Sequence, residues 1–430
     1  MTASRMFLDR PVKIGLVVVG LLLGLLAVVV ARNLRDETPQ RGHAASLAIT
    51  PQLVERGAYL ARAGNCATCH TTRGGAEYAG GRGIETPFGI VFAGNLTPDA
   101  ETGIGRWSAA DFWRAMHNGR SKDGRLLVPA FPYPSYTQVS REDADALHAY
   151  LRTLPPVRQA NRPHELRFPY GTQAALAVWR AMFFEPGSYQ PQPQQSAEWN
   201  RGAYLVKGLG HCVACHSPRN AFGAITDALE FRGGLIPMQN WYAPSLASPQ
   251  EAGVADWPTQ EVAALLKTGV SPRASVIGPM ADVVFRSTQY LTDADLQAMA
   301  VFLKGLPQHQ GPQRRADAPI DPAALRHGAK LYDKHCASCH GDQGEGARGA
   351  YPALAGNRMV TLNDPTNLVR MVVGGGFPPT TAGNPAPYGM PPFGPTLANE
   401  DIAAVLSHIR NAWGHHAPAV SALEVMRARY

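Results

Sequence analysis

The chain has 430 residues, 45% hydrophobic and 17% charged, which excludes a disordered polypeptide and allows two to four domains. Its 43 glycines and 36 prolines fall short of low complexity and describe compact, loop-rich units. A formal charge of +7 alone would suit nucleic acid or an anionic surface.

Ile14 to Ala31 reads IGLVVVGLLLGLLAVVVA, 18 residues without a charge. As a helix this spans about 27 Å, just enough for the hydrocarbon core of a bilayer. Arg5, Arg10 and Lys13 precede it and Arg32, Arg35 and Arg41 follow, so flanking charge barely discriminates orientation. Val29 and Ala31 keep a cleavable signal peptide open, but the apolar run is longer than a signal core of about 7–15 residues. That length favours a retained anchor.

The rest of the chain repeats one plan three times. A leading helix is expected in RGAYLARAGNCATCH from Arg56, RGAYLVKGLGHCVACH from Arg201 and HGAKLYDKHCASCH from His327. A second, short helix ending at glycine follows in WSAADFWRAMHNG, WPTQEVAALLKTG and DPTNLVRMVVGG. A closing helix with acidic residues in its first turn and an apolar stripe, such as Leu296, Met299 and Leu303, completes each unit and packs on the leading helix. Proline-rich stretches, Pro186 to Ser196 and Pro307 to Pro319, mark the joints. The expected divisions are 1–45 (anchor or signal peptide, and spacer), 46–160, a linker at 161–195, 196–308, a linker at 309–320, 321–415, and a tail at 416–430. Ala174 to Phe184 reads as a helix within the first linker. The fold class is all-α.

All six cysteines fall in three pairs, Cys66/Cys69, Cys212/Cys215 and Cys336/Cys339, each followed at once by His70, His216 or His340. In Cys-x-x-Cys-His the two thiols add to porphyrin vinyl groups, and the adjacent histidine is held against the iron as its axial ligand. Three such motifs in one helical plan point to three covalent haem c groups; zinc sites rarely repeat this pentapeptide without further ligands. Three haems carry up to about six propionate charges, which offset most of the positive total, so no nucleic-acid partner is drawn from it. Haem is attached to such motifs outside the cytoplasm. The bulk of the chain is therefore expected to be exported, its N-terminus inside.

A sixth iron ligand is expected from a methionine on a proline-stiffened loop before the closing helix: Met280 in IGPMADV and Met390 in PYGMPPFG. Histidine–methionine ligation leaves no open site, which suits electron transfer. In unit 1 the matching loop reads LVPAFPYPSY, and Phe131 stands where the others have methionine. Met116 aligns with Leu266 and Met371 and reads as core; His117 and His148 have no better claim. Haem 1 is expected to be five-coordinate or unusually ligated, with a lower potential. Gly344, Gly346 and Gly349 match a dinucleotide fingerprint but follow no strand, a chance match. His211 and His335 read as solvated histidines near a haem edge, His415 and His416 as a solvated tail, and Trp107, Trp241, Trp257 and Trp413 as packing. No paired-carboxylate site, activated nucleophile or phosphate loop is apparent, so no catalytic residue is assigned.

TPFGIVFAGNLTPDAETGIGRWSAADFW from Thr86, PAFPYPSY from Pro129, WYAPSL from Trp241 and TAGNPAPYGMPPFG from Thr381 carry more than haem attachment needs. With the three haem motifs they resemble the triheme cytochrome c subunits of bacterial membrane-bound periplasmic dehydrogenases acting on alcohols, aldehydes, gluconate, sorbitol or fructose. The resemblance runs from Pro51 to Trp413. It implies three tandem class I cytochrome c-like domains in the periplasm; the one transmembrane helix expected ahead of them at the inner membrane is read from the apolar run itself. It further implies a catalytic dehydrogenase partner with a quinone, flavin or molybdenum cofactor, and ubiquinone or a terminal oxidase as acceptor. Two rival readings are a self-contained multihaem peroxidase or reductase using haem 1, and a cytochrome subunit of a terminal oxidase. The first lacks a recognisable distal acid–base group near Phe131.

Overall fold

The computed structural model describes residues 10–35, 48–311 and 321–429. Arg5, Arg41 and most of the joint expected at 309–320 lie outside them. Helix α1, Arg10–Asn33, is exposed along nearly its whole length, and its stretch Val12–Asn33 is long and apolar enough to cross a membrane.

The first unit contains α2 (Pro51–Ala63), α3 (Cys66–His70), β1 (Gly83–Thr86), β2 (Gly89–Phe92), α4 (Ala109–Asn118), α5 (Tyr133–Tyr136) and α6 (Arg141–Leu151). After it come β3 (Glu165–Leu166) and α7 (Gln173–Phe183). The second holds α8 (Ala197–Tyr204), α9 (Val213–His216), β4 (Gly234–Ile236), β5 (Trp241–Ala243), α10 (Thr259–Thr268), α11 (Pro279–Arg286) and α12 (Asp293–Lys304). The third holds α13 (Pro322–His335), α14 (Ala337–His340), α15 (Arg358–Thr361), α16 (Thr366–Gly374), α17 (Asn399–Ile409) and α18 (Ala422–Ala428). The fold is mainly helical, with short antiparallel strands that the all-α expectation did not include: β1–β2–β3 and β4–β5.

The helix ends follow local chemistry. Thr50, Ser140, Ser196 and Thr292 cap α2, α6, α8 and α12 through their hydroxyls, and Ser108 forms a capping box with Asp111 on α4. The short helices α4, α10 and α16 stop at Gly119, Gly269 and Gly375, all with positive φ (58°, 79° and 64°).

In each unit the closing helix crosses the leading helix at a glycine. A Cβ on Gly57, Gly202 or Gly328 would fall inside the backbone carbonyl of Ala146, Ala298 or Ala404, respectively. The absent side chain lets the two backbones touch, which brings the apolar stripes together. Three cores result, around Leu60, Phe112 and Leu147, around Leu205, Val262 and Leu296, and around Tyr332, Val369 and Leu406.

Unit 2 has one more residue than unit 1 between its leading arginine and first cysteine. The extra residue is absorbed as a π-helical turn over Leu205–Leu209, which preserves the packing on both sides. The ends of these two leading helices also exchange cores: Ala63 packs in the second and Leu209 in the first. Reciprocal polar contacts join the same units. The Tyr59 hydroxyl donates to Asp295 (2.5 Å) and the Tyr204 hydroxyl to Asp143 (2.6 Å). Arg56 and Arg201 pair with those aspartates within their own units. Unit 3 has Lys330 at the tyrosine position, and its His327 meets Asp401 at 2.7 Å.

Two expected divisions change. Residues 161–195 are not a bare linker: β3 adds to the β1–β2 sheet, α7 docks against α1 and unit 1, and Tyr189 packs on the second core. Residues 416–430 are not a free tail either. Val420, Val425 and Ala428 belong to the third core, because α18 covers an apolar face left open by α16 and α17.

Candidate haem-attachment sites

Each cysteine pair lies on or at the start of a short helix that follows its unit's leading helix, Cys212 and Cys336 being the residues just before α9 and α14, so both sulfurs and the following histidine are placed by one continuous stretch of backbone. The six thiols form no disulfide. Burial pushes Cys66 and Cys212 up to about 12 and Cys336 up to about 11, with the second cysteine of each pair adding repulsion. Among the described residues no group of three or more His, Cys, Asp or Glu is arranged to hold a metal ion.

The three histidines share one environment. Their Nδ1 atoms face backbone carbonyls: His70 to Gly94 at 2.7 Å, His216 to Pro244 at 2.7 Å and His340 to Pro352 at 3.0 Å. Burial lowers the pKa of all three. A neutral imidazole donating from Nδ1 keeps the Nε2 lone pair for a metal, with the ring orientation fixed. The sequence signal for these acceptors was a proline in WYAPSL and GAYPAL; the first unit has Gly94 instead, so the pattern was missed.

Met280 and Met390 line the same cavity as the cysteines and histidines of units 2 and 3. It is continuous between the two units and measures about 1160 Å³. Met390 is fixed by a two-way backbone bridge with Gly376 (3.0 and 2.8 Å). Met280 lies in the first turn of α11, where a loop was expected, behind Pro279 at the helix start. Paired thiols, an oriented imidazole and a thioether lining one largely apolar cleft fit a covalently held haem.

Unit 1 differs. Phe131 packs against Tyr136 with ring centroids 5.3 Å apart. Met116 is 5% exposed and belongs to the core. His117 stacks on Trp113 at 4.4 Å with its Nδ1 2.9 Å from the Thr137 carbonyl. His148 Nε2 lies 3.2 Å from the Trp107 carbonyl, and burial pushes its pKa down to about 4.

Other expectations resolve as follows. His415 is buried, not solvated: its Nε2 accepts from the Gly356 amide at 2.9 Å. His211 is half-buried at the junction of units 1 and 2, edge-on to Tyr136 at 5.6 Å. His335 lies against Phe393. Gly344, Gly346 and Gly349 all have positive φ and shape the loop after His340, with no strand before them.

Residues 54–155 and 325–413 match the family model for cytochrome c. Over most of its length the chain is similar to several curated proteins. It is 39% identical to the cytochrome c subunit of alcohol dehydrogenase (quinone) from Gluconacetobacter polyoxogenes, over 89% of this chain and 86% of that one. The gluconate 2-dehydrogenase cytochrome c subunit of Pantoea cypripedii is 37% identical, covering 88% and 89%. The fructose dehydrogenase cytochrome subunit of Gluconobacter japonicus is 33% identical, covering 92% and 85%. The chain belongs to the cytochrome c subunits of bacterial dehydrogenases. As a cytochrome subunit of this family it binds haem c covalently and serves electron transfer. The histidine–carbonyl hydrogen bonds hold each imidazole in one orientation.

Proposed function

We propose that the chain carries three haem c groups, one per unit, in three tandem cytochrome c domains. The pairs Cys66/Cys69, Cys212/Cys215 and Cys336/Cys339 would hold them, and His70, His216 and His340 would be the proximal ligands. Met280 and Met390 would complete the second and third sites, while the Phe131 loop offers no sulfur to the first. Bound haem c supplies one-electron chemistry at its iron; the polypeptide supplies attachment, orientation and a dry surrounding.

The observation that carries this reading is the succession of contacts. Units 1 and 2 are clamped by the reciprocal tyrosine–aspartate pairs, and the clefts of units 2 and 3 open into one cavity. That arrangement supports a linear relay. By analogy with the relatives, the partner is a catalytic dehydrogenase subunit on the periplasmic side, and the acceptor is ubiquinone or a terminal oxidase at the inner membrane. Helix α1 would span that membrane with its N-terminus in the cytoplasm. Against the rival reading as a self-contained peroxidase, His148 Nε2 lies against the Trp107 carbonyl and His117 is buried and stacked on Trp113.

The test is a haem count with carbon monoxide titration of the reduced protein. Three haems per chain, with one binding the gas, is the expected result. Two haems would remove the triheme reading, and no gas binding would remove the five-coordinate first site.

A further inference from the structure

We infer that α7 is a second membrane contact, its exposed apolar stripe lying in the outer interfacial layer of the bilayer at a depth set by a buried latch to the anchor helix. This rests on the reading of α1 as a membrane span.

The latch is Asn33, the last residue of α1 and only 8% exposed. Its side-chain amide donates to the carbonyls of Val29 (2.8 Å) and Ala177 (2.9 Å), and its oxygen accepts from Arg180 Nε at 3.0 Å. Arg180 is itself 4% exposed, bonded to the Asn118 carbonyl and set beside the rings of Tyr133 and Phe184. A buried guanidinium must have its donors met, and the end of α1 meets one of them. Arg32 adds a bond to the Ala181 carbonyl at 2.9 Å, and Arg120 one to the Asn33 carbonyl at 3.2 Å. The last turn of α1 is thus built into unit 1. Cleavage after Ala31 would remove the Val29 carbonyl and leave Asn33 beside a free terminus.

The depth follows from length. Val12–Asn33 has 22 residues, about 33 Å of helix against a hydrocarbon core of about 30 Å. If the span fills the core, Asn33 stands at its outer boundary, and α7, bonded to it through residues 177 and 181, lies at that level. The face of α7 turned from the protein carries Ala174, Val178 and Met182 at four-residue steps, with Val178 47% and Met182 51% exposed. Phe222, 56% exposed, touches α7 through Phe183 and Trp179 and extends the patch. An apolar helix face continuous with a membrane span has lipid as its occupant. Interfacial helices of this kind seat about 5–10 Å into the headgroup boundary.

The test uses the full haem-loaded chain in vesicles of phosphatidylethanolamine and phosphatidylglycerol that include a lipid with a photoreactive acyl chain. Leu22→Cys, Val178→Cys and Glu198→Cys are made singly, and the rate of each thiol with a membrane-impermeant maleimide is measured, with haem content checking the fold. Cys at 178 should react at least ~10-fold more slowly than at 198, with the lipid cross-linking to α7, as burial in the interface requires. Asn33→Ala should restore much of the rate at 178. A fast thiol at 178 overturns the inference, as does a slow one without lipid cross-links, which would mean a second copy covers α7. A reactive thiol at 22 instead overturns the membrane-span reading beneath it.

Discussion

The Tyr204 hydroxyl donates to Asp143 across the boundary between units 1 and 2, and Tyr59 returns the same bond to Asp295. Both tyrosines come from the RGAYL sequence of a leading helix and both aspartates from the first turn of a closing helix, so one repeated motif fastens two units face to face. A hydrogen bond to a buried carboxylate is worth about 1.5–3 kcal/mol. Tyr59→Phe and Tyr204→Phe should each lower stability by about 1–3 kcal/mol, with the double variant unfolding units 1 and 2 separately. Calorimetry resolves this; a single unchanged transition in the double variant would show that the clamp is dispensable.

The crossing glycines give a sharper steric prediction. Alanine at Gly202 would put a methyl into the Ala298 carbonyl, and at Gly57 into that of Ala146. Backbone cannot yield as a side-chain tip can, so each change should cost at least ~1–3 kcal/mol. Chemical denaturation measures it. The exposed Gly187 has nothing within reach of an added Cβ, so Gly187→Ala is the control.

At the proposed axial positions, Met390→Ala should leave the covalent haem count unchanged while lowering the potential of one haem, since a lost thioether ligand would no longer favour reduced iron. Met280→Ala should do the same at a different haem. Conversely, Phe131→Met should raise the potential of the first site and abolish its binding of carbon monoxide. Redox titration with haem-stained gels separates these outcomes. An unchanged titration of Met390→Ala would strike that residue from the ligand set.

Acid should weaken the fold in two stages. Burial holds the folded-state pKa of His148 at about 4, against about 6.5 when unfolded. The unfolded chain binds the extra proton first, so stability falls as pH drops through that window, by up to about 3 kcal/mol. Burial pushes Asp295 up, but hydrogen bonds from Arg201 and Tyr59 outweigh it and leave its pKa below the ordinary value. Its contribution is present above about pH 4 and is lost as pH falls through the lowered value. Unfolding midpoints from pH 7 to 3 test both stages: His148→Gln should flatten the first and Asp295→Asn the second.

Much of this molecule was legible in its sequence because the determining chemistry is local. Cys-x-x-Cys-His places two sulfurs and an imidazole on about one helical turn, acidic first turns and terminal glycines bound the helices, and an uncharged run of 18 residues declares an apolar helix whatever surrounds it. Tertiary structure alone decided how the pieces meet. The carbonyls of Gly94, Pro244 and Pro352 that orient the histidines lie 12 to 28 residues away in the chain. The Tyr–Asp clamp joins residues 61 and 236 positions apart, and the Asn33–Arg180 latch joins residues 147 apart. His415 looked like a solvated tail because its polar partner, the Gly356 amide, belongs to a distant loop, and residues 416–430 because the face they cover exists only once α16 and α17 have packed. Spacing reveals groups that one stretch of backbone holds together; a buried polar pair between distant segments leaves no period behind, since only the folded chain removes the water both partners would otherwise bind.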